Sequence, residues 1–378
     1  MNEDKASRYH RLRRRAELLG TGAAAFLLLL LLVSGGSMYL REKGAIFGTL
    51  IGSGFEEQGT VLGYAVILVL LLSALELPFA FYQGYLLEHR YELSNETRWP
   101  WLRDHLKAAA LSLVFFVLGA SIVYATLRWD REWWWALSAT IFSVAMIGVT
   151  KVAPVLLLPL FYSFKPLERP SLVERLLALA RRAGTDIVGV YEWALSPHTK
   201  KANAALAGVG RTRRILLSDT LLADYSEDEI EVILAHELAH HVHYDLWRGM
   251  AVQTGVLFAA FFCAHLALDW LTDPIALRGV DDPAGLPLLL LAGGACSLLL
   301  MPWANALSRA HERRADRYAL DSTGRPDAFI SAMRRLSQQN LAEEHPSRAV
   351  QWLFYSHPPI RERIDAARVW ANAGGSRD

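Results

Sequence analysis

Ser226-Glu-Asp-Glu-Ile-Glu-Val-Ile-Leu-Ala-His236-Glu237-Leu-Ala-His240-His-Val-His243 is the stretch on which the reading of this chain turns. Ser226 and Glu229 have the spacing of a capping box, in which the serine hydroxyl takes a first-turn N–H and the glutamate reaches back. The helix that starts there runs to about His243, with Ile230, Ile233, Leu234 and Leu238 along one apolar stripe. His236 and His240 stand one turn apart on one face, so both imidazoles can reach a single ion. Glu237 is offset from them by about 100° of helical rotation, which suits a base beside a metal rather than a ligand to it. H-E-x-x-H can also arise by chance, and a solvated helix face rich in His and Glu is the plain alternative.

A catalytic zinc takes three protein ligands and keeps one position for water. A third ligand is available downstream in Asn305-Ala-Leu-Ser308-Arg309-Ala-His311-Glu312-Arg-Arg-Ala315-Asp316, which has strong helix formers and no Gly or Pro. Glu312 and Asp316 share a face, so a ligand and a carboxylate supporting a ligating histidine can come from adjacent turns. Read alone, the segment is equally an ordinary charged helix with Arg309 paired to Glu312.

Between and before these segments the chain is apolar in blocks. Hydrophobic residues make up 53% and charged residues 20%, a modest excess that is concentrated in stretches long enough to cross a bilayer. Six such stretches lie near 17–39, 61–83, 106–128, 133–160, 250–271 and 284–304. The first could instead be the apolar part of a cleaved signal peptide, although no A-x-A site follows it. The fourth contains Pro154 and Pro159 and could hide a break that makes seven crossings. Arginines cluster before the first span, and Arg90, Arg98 and Arg103 follow the second. The opposite loops carry only Arg41 and Lys43, Arg128 and Arg131, and Arg278. This bias places the N-terminus and segments 161–249 and 305–378 on the cytoplasmic side, where the two segments can build one domain. The net charge of +1 gives no case for nucleic-acid binding. Cys263 and Cys296 both sit in apolar blocks, against a disulfide framework or a Cys-ligated metal.

Read together, H-E-L-A-H followed by N-x-x-S-R-x-x-E-x-x-A-D resembles the integral-membrane gluzincin peptidases of the CAAX prenyl protease and HtpX kind. Ser196-Pro-His198 with Ala202-Asn203-Ala204 and Arg213 to Leu221 resembles the family's segment upstream of the zinc helix. Leu158 to Pro166 is similar to the junction leaving its last N-terminal span. Ser356-His357-Pro358-Pro359 with Arg363 resembles its C-terminal element. Four spans rather than two before the zinc helix bring the chain closer to the CAAX prenyl protease branch. The resemblance implies one zinc held by His236, His240 and Glu312, with Glu237 as catalytic base and Asp316 behind the ligands. It also implies substrate binding by Asn203 and Ala204 on an edge strand, and His357 and Arg363 as catalytic residues near the reaction centre. The residues agree on the strand: runs 202–207 and 213–218 flank Gly208-Val-Gly210 as a hairpin would, and an open edge can take an extended peptide. His357, by contrast, reads on its own as a loop histidine before two prolines.

The fold expected is mainly α, a multi-span transmembrane helical bundle with a small α+β zincin-type metallopeptidase domain. Its divisions are 1–160 with about four spans, 161–249, a two-span hairpin 250–304, and 305–378. The function expected is a membrane-embedded zinc endopeptidase acting on membrane-associated polypeptides, in the cell (inner) membrane. Two alternatives stand beside it: a C-a-a-X processing peptidase of prenylated, hence lipidated, proteins, and a non-catalytic scaffold with a structural zinc.

Overall fold

The computed structural model describes residues 4–52, 54–208 and 210–374. Among these, six helices are long and apolar enough to cross a membrane, and they coincide with the six apolar stretches of the sequence. The N-terminal part contains α1 (Lys5–Val33), α2 (Gly36–Ile51), α3 (Glu56–Phe81), α4 (Glu88–Arg90), α5 (Arg98–Trp129) and α6 (Trp134–Leu156). A π-helical stretch, Tyr82–Leu87, joins α3 to α4 without a break. It follows Pro78, which has no N–H for the Ala74 carbonyl, and a widened turn is one way to absorb that loss. The fourth apolar block forms one crossing. Its helix ends at Leu156, and Leu158–Leu160 make a 3-10 turn rather than a further span.

α2 occupies what the sequence reads as a loop. At 16 residues it is too short to count as a span, but it packs along α3 with almost no separation. A Cβ on Gly63 would stand 2.6 Å from the Gly44 carbonyl oxygen, so glycine at both positions permits the approach. Arg41, counted in the sequence as a loop charge, is instead buried and ion-paired with Asp282. Ser37 Oγ donates to the Ala284 carbonyl at 2.6 Å, which ties α2 to the loop between the last two spans.

Beyond the fourth span comes the α+β part: β1 (Phe164–Pro166), α7 (Pro170–Arg182), β2 (Gly189–Trp193), β3 (Ala204–Ala207) and β4 (Arg214–Ser218). They are followed by α8 (Asp219–Asp224) and α9 (Glu227–Val242). The sheet order is β1-β2-β4-β3, with β2 and β4 parallel and the outer pairs antiparallel. Ala204 pairs with Leu217 and Ala207 with Arg214, so the two short runs do form a hairpin; of its turn, Val209 lies outside the described residues.

The membrane hairpin consists of α10 (Asp245–Leu271) and α11 (Leu286–Thr323). The C-terminal helices are α12 (Pro326–Gln339), α13 (Arg348–Phe354) and α14 (Ile360–Asn372). With 38 residues, α11 is about 57 Å long, nearly twice the hydrocarbon thickness of about 30 Å. Hydropathy marks only its lipid-facing half. The helix continues past Pro302 without ending, which is how residues from 305 to 316 come to stand over α9. A single apolar core joins both chain pieces: Leu172, Leu176, Ile215, Leu217, Ile230, Leu234 and Leu238 pack with Ala319, Phe329, Ala332 and Ala367.

Candidate metal centre and active site

The capping box at the head of α9 is formed. Ser226 Oγ accepts from Glu229 N at 3.3 Å, and Glu229 Oε2 accepts from Ser226 N at 2.8 Å, a cap worth about 1 kcal/mol. α9 is then buried nearly all round, His236 included, because α11, α12, α7 and β3 all pack against it.

Between α9 and α11, His236, His240 and Glu312 bring one ligand-type atom each within 4.8 Å of one another. His236 Nε2 is 3.3 Å from Glu312 Oε2, and His240 Nε2 is 3.4 Å from Glu312 Oε1. Each imidazole is oriented from behind by a carboxylate. Asp316 Oδ1 lies 2.9 Å from His236 Nδ1, and Asp245 Oδ2 lies 3.0 Å from His240 Nδ1. Both Nε2 atoms are thereby left to face Glu312. Asp316 is in turn held by Arg363, whose Nε donates to Oδ2 at 2.8 Å and Nη2 to Oδ1 at 2.5 Å. Arg363 Nη2 is also 3.3 Å from His236 Nδ1, so this guanidinium stands on the side of the ring opposite Glu312. His357 Nδ1 approaches Glu312 Oε2 to 2.9 Å, with its side chain 63% exposed.

Burial works against a charge on His236, but the hydrogen bonds to Asp316 and Glu312 outweigh it and lift its pKa to about 9. His240 is raised in the same way, burial being overcome by Glu312 and Asp245. Glu237 is raised chiefly by burial, only partly offset by the two histidines. A carboxylate so tuned accepts a proton more readily near neutral pH.

Glu237 and His240 lie on the wall of a cavity of about 490 Å³. Leu206, Ala207 and Gly208 at the end of β3 form another side, and Gly249, Gln253, Leu307 and Ser308 of the membrane helices close it. Among the described residues β3 pairs only with β4, so its other edge is open. Asn203 is exposed just before β3, continuing the ladder by accepting from Ser218 N at 3.0 Å, while Ala204 is buried. The residues of the strand that line the cavity are its later ones, 206–208.

Glu312 Oε2 is buried, and despite the nearby imidazoles it has no hydrogen-bond partner of good geometry. A buried carboxylate whose two oxygens each face one Nε2 atom, with Oε2 lacking a well-aligned donor, is what a divalent ion would satisfy. Two nitrogens and one oxygen with a position to spare are a common catalytic zinc set. Glu96, Asp104 and His198 also bring ligand-type atoms within 4.8 Å. There Lys107 and Arg103 hold Asp104, and His198 Nδ1 lies 2.9 Å from Glu96 Oε1, so the charges balance without an ion.

Asp245 is the residue that sequence reasoning missed. On a continuous helix it would sit about 140° around from His240. Tyr244 takes a left-handed conformation, φ 58°, which breaks the helix and brings Asp245 back under His240 as α10 begins. Arg314 pairs with it from α11. Asp245→Asn and Asp316→Asn are each expected to weaken metal affinity by roughly 10–100-fold. Metal titration of the purified variants checks this, and unchanged affinity in Asp245→Asn would reduce that residue to a helix-start contact.

Residues 166–371 match peptidase family M48. The chain belongs to peptidase family M48. Residues 2–163 match the CAAX prenyl protease N-terminal domain, described as five membrane helices; here that region holds α1, α2, α3, α5 and α6 as its long helices. This M48 chain is 31% identical over 324 residues to the uncharacterized metalloprotease YhfN of Bacillus subtilis, covering 84% of this chain and 75% of that one. It is 26% identical to CAAX prenyl protease 1 of Saccharomyces cerevisiae, covering 78% and 69%. The human CAAX prenyl protease 1 homolog is 23% identical, over 89% and 79%. The crystal structure of S. mikatae Ste24p superposes with a TM-score of 0.83 at 20% identity, over 96% of this chain and 88% of that one. The expected fold class is thus borne out, and the M48 protein is a multi-pass membrane metalloendopeptidase.

Proposed function

We propose that this M48 peptidase uses one zinc ion, held by His236, His240 and Glu312, to cut peptide bonds of membrane-associated polypeptides on the cytoplasmic side of the cell membrane. The observation that carries the reading is the convergence of those three side chains beside Glu237, at the wall of a cavity that opens both to a strand edge and to the spans. Its metallopeptidase domain is the combination of 161–249 and 305–378, with the hairpin 250–304 between them. An extended substrate adds to the free edge of β3 through main-chain hydrogen bonds, near Asn203 and Ala204, and runs along Leu206–Gly208 towards Glu237.

When bound, the zinc supplies Lewis acidity, drawing the pKa of a water towards about 7 and polarising the scissile carbonyl. Glu237 takes the proton of the attacking water and delivers it to the departing amine, a role its burial-raised pKa suits. His357 stands beside Glu312, its Nδ1 2.9 Å from Oε2, where a ring N–H can be presented to the developing oxyanion. Arg363 supports the centre through Asp316 and His236. A second reading narrows the substrate to prenylated C-a-a-X tails, and rests on the names of the relatives in yeast and human.

Membrane vesicles of known orientation test the proposal with a membrane-impermeant quenched peptide added outside. Cleavage is expected in inside-out vesicles only, abolished by a zinc chelator and restored by added zinc. Cleavage in right-side-out vesicles would overturn the orientation, and chelator-resistant cleavage would overturn the metal.

A further inference from the structure

His357 is held by almost nothing of its own. Its side chain is 63% exposed, and the preceding helix α13 has seven residues and no buried side chain. Apolar packing on this segment is slight, chiefly Trp352 edge-on against Trp303 of α11 with ring centroids 5.8 Å apart. Polar ties from two membrane helices add to it.

The first set comes from α11. Asn305 Nδ2 donates to the Leu353 carbonyl at 2.7 Å. Arg309 Nη1 donates to the carbonyls of Gln351 at 3.1 Å and Tyr355 at 2.5 Å. These acceptors belong to the last turn of α13 and the residue after it, where a helix runs out of intrahelical donors; the Gln351 carbonyl also accepts from Tyr355 N at 3.2 Å. Arg309 is buried, 7% exposed, and no carboxylate pairs with it among the described residues, so its Nη1 is committed to these two carbonyls. Asn305, Arg309, Glu312 and Asp316 fall on one stripe of α11, all beyond Pro302. The helix that presents the candidate ligand Glu312 thus also fixes the chain two residues before His357.

The second set comes from α1. Tyr355 Oη donates to Glu343 Oε2. Arg14 Nη1 donates to the same carboxylate oxygen at 2.7 Å and to the Tyr355 hydroxyl at 3.2 Å. Tyr355 is therefore gripped by its carbonyl from α11 and by its hydroxyl from α1.

We propose that Asn305 and Arg309, together with the Arg14–Glu343–Tyr355 network, are positioning residues that hold His357 against Glu312, making the N-terminal helix part of what sets the catalytic geometry. The proposal rests on His357 acting at the reaction centre, as argued above.

Full-length protein carrying Arg309→Ala or Tyr355→Phe, each with and without His357→Ala, provides the test. Tyr355→Phe removes one hydroxyl and is the gentler variant. His357→Ala and Arg309→Ala are each expected to lower kcat about 10²-fold, the scale of a misplaced catalytic group. Tyr355→Phe is expected to lower it about 10-fold, for one lost charge-assisted hydrogen bond. KM and zinc content should stay within about twofold. In the His357→Ala background neither clamp variant should cost more, since coupled residues are non-additive. In metal-free protein, amides 351–357 should exchange with deuterium at least about 10-fold faster in both clamp variants. Losses that add to that of His357→Ala, or that track zinc loss, would overturn the clamp. So would wild-type kcat and exchange in both clamp variants beside an impaired His357→Ala. Wild-type kcat in His357→Ala itself would remove the role of His357, and the clamp proposal with it.

Discussion

Replacing Glu237 by glutamine is expected to remove peptide cleavage while leaving the metal in place. Glu237 points into the cavity one residue on from His236, offset from the face on which His236 and His240 meet Glu312. The amide is close in size to the carboxylate and still accepts a hydrogen bond, but it cannot take a proton from water at neutral pH. General-base catalysis is worth about 10²–10⁴-fold, so kcat should fall by at least that factor. Zinc content by metal analysis should match the wild type. Added zinc should rescue Asp316→Asn in part, because that variant loses affinity, and Glu237→Gln not at all. Wild-type cleavage by zinc-loaded Glu237→Gln would take the base out of the mechanism.

Glu312→Ala should fail in the opposite way, by losing the ion. Purified protein is expected to hold about one zinc per chain, and two imidazoles alone make an incomplete catalytic site. Removing Glu312 also removes the anion that faces His236, His240 and His357 at once. The stabilisation that bound metal gives to the folded state should disappear with it. The measurements are zinc stoichiometry and the zinc-dependent rise in Tm. Full occupancy in Glu312→Ala would move the third ligand elsewhere. The two nearby histidines would have to move to replace it, since neither His243 nor His311 belongs to the group of ligand atoms lying within 4.8 Å of one another.

Features that depend on neighbours in the chain were readable from the residues. The capping box, the stripe through Ile230, Ile233, Leu234 and Leu238, and the six apolar blocks each follow from spacings of a few residues. α2 was not readable, because its signal is the close fit of Gly44 and Gly63 between two helices rather than hydropathy. The solvated face imagined for α9 was not solvated, because the covering element α11 lies far downstream and arrives only after the chain has crossed the membrane twice.

The candidate site divides along the same line. Local order in the chain was enough to name His236, Glu237 and His240 as a possible metal-and-base set, because helical periodicity alone puts them on adjacent faces. Glu312 and Asp316 could be offered from the same periodicity, but resemblance was needed to join them to the histidines. Folding decided the join itself: the long α11 helix carries Glu312 over α9, and Arg363, 127 residues from His236, reaches the back of that ring. It also decided Asp245, which the left-handed Tyr244 turns under His240, and the Arg14, Glu343 and Tyr355 ties around the His357 segment. Hydrogen-bond spacing within a helix depends on a handful of consecutive residues. Contacts between distant segments depend instead on how whole helices pack, and no short pattern in the chain encodes that.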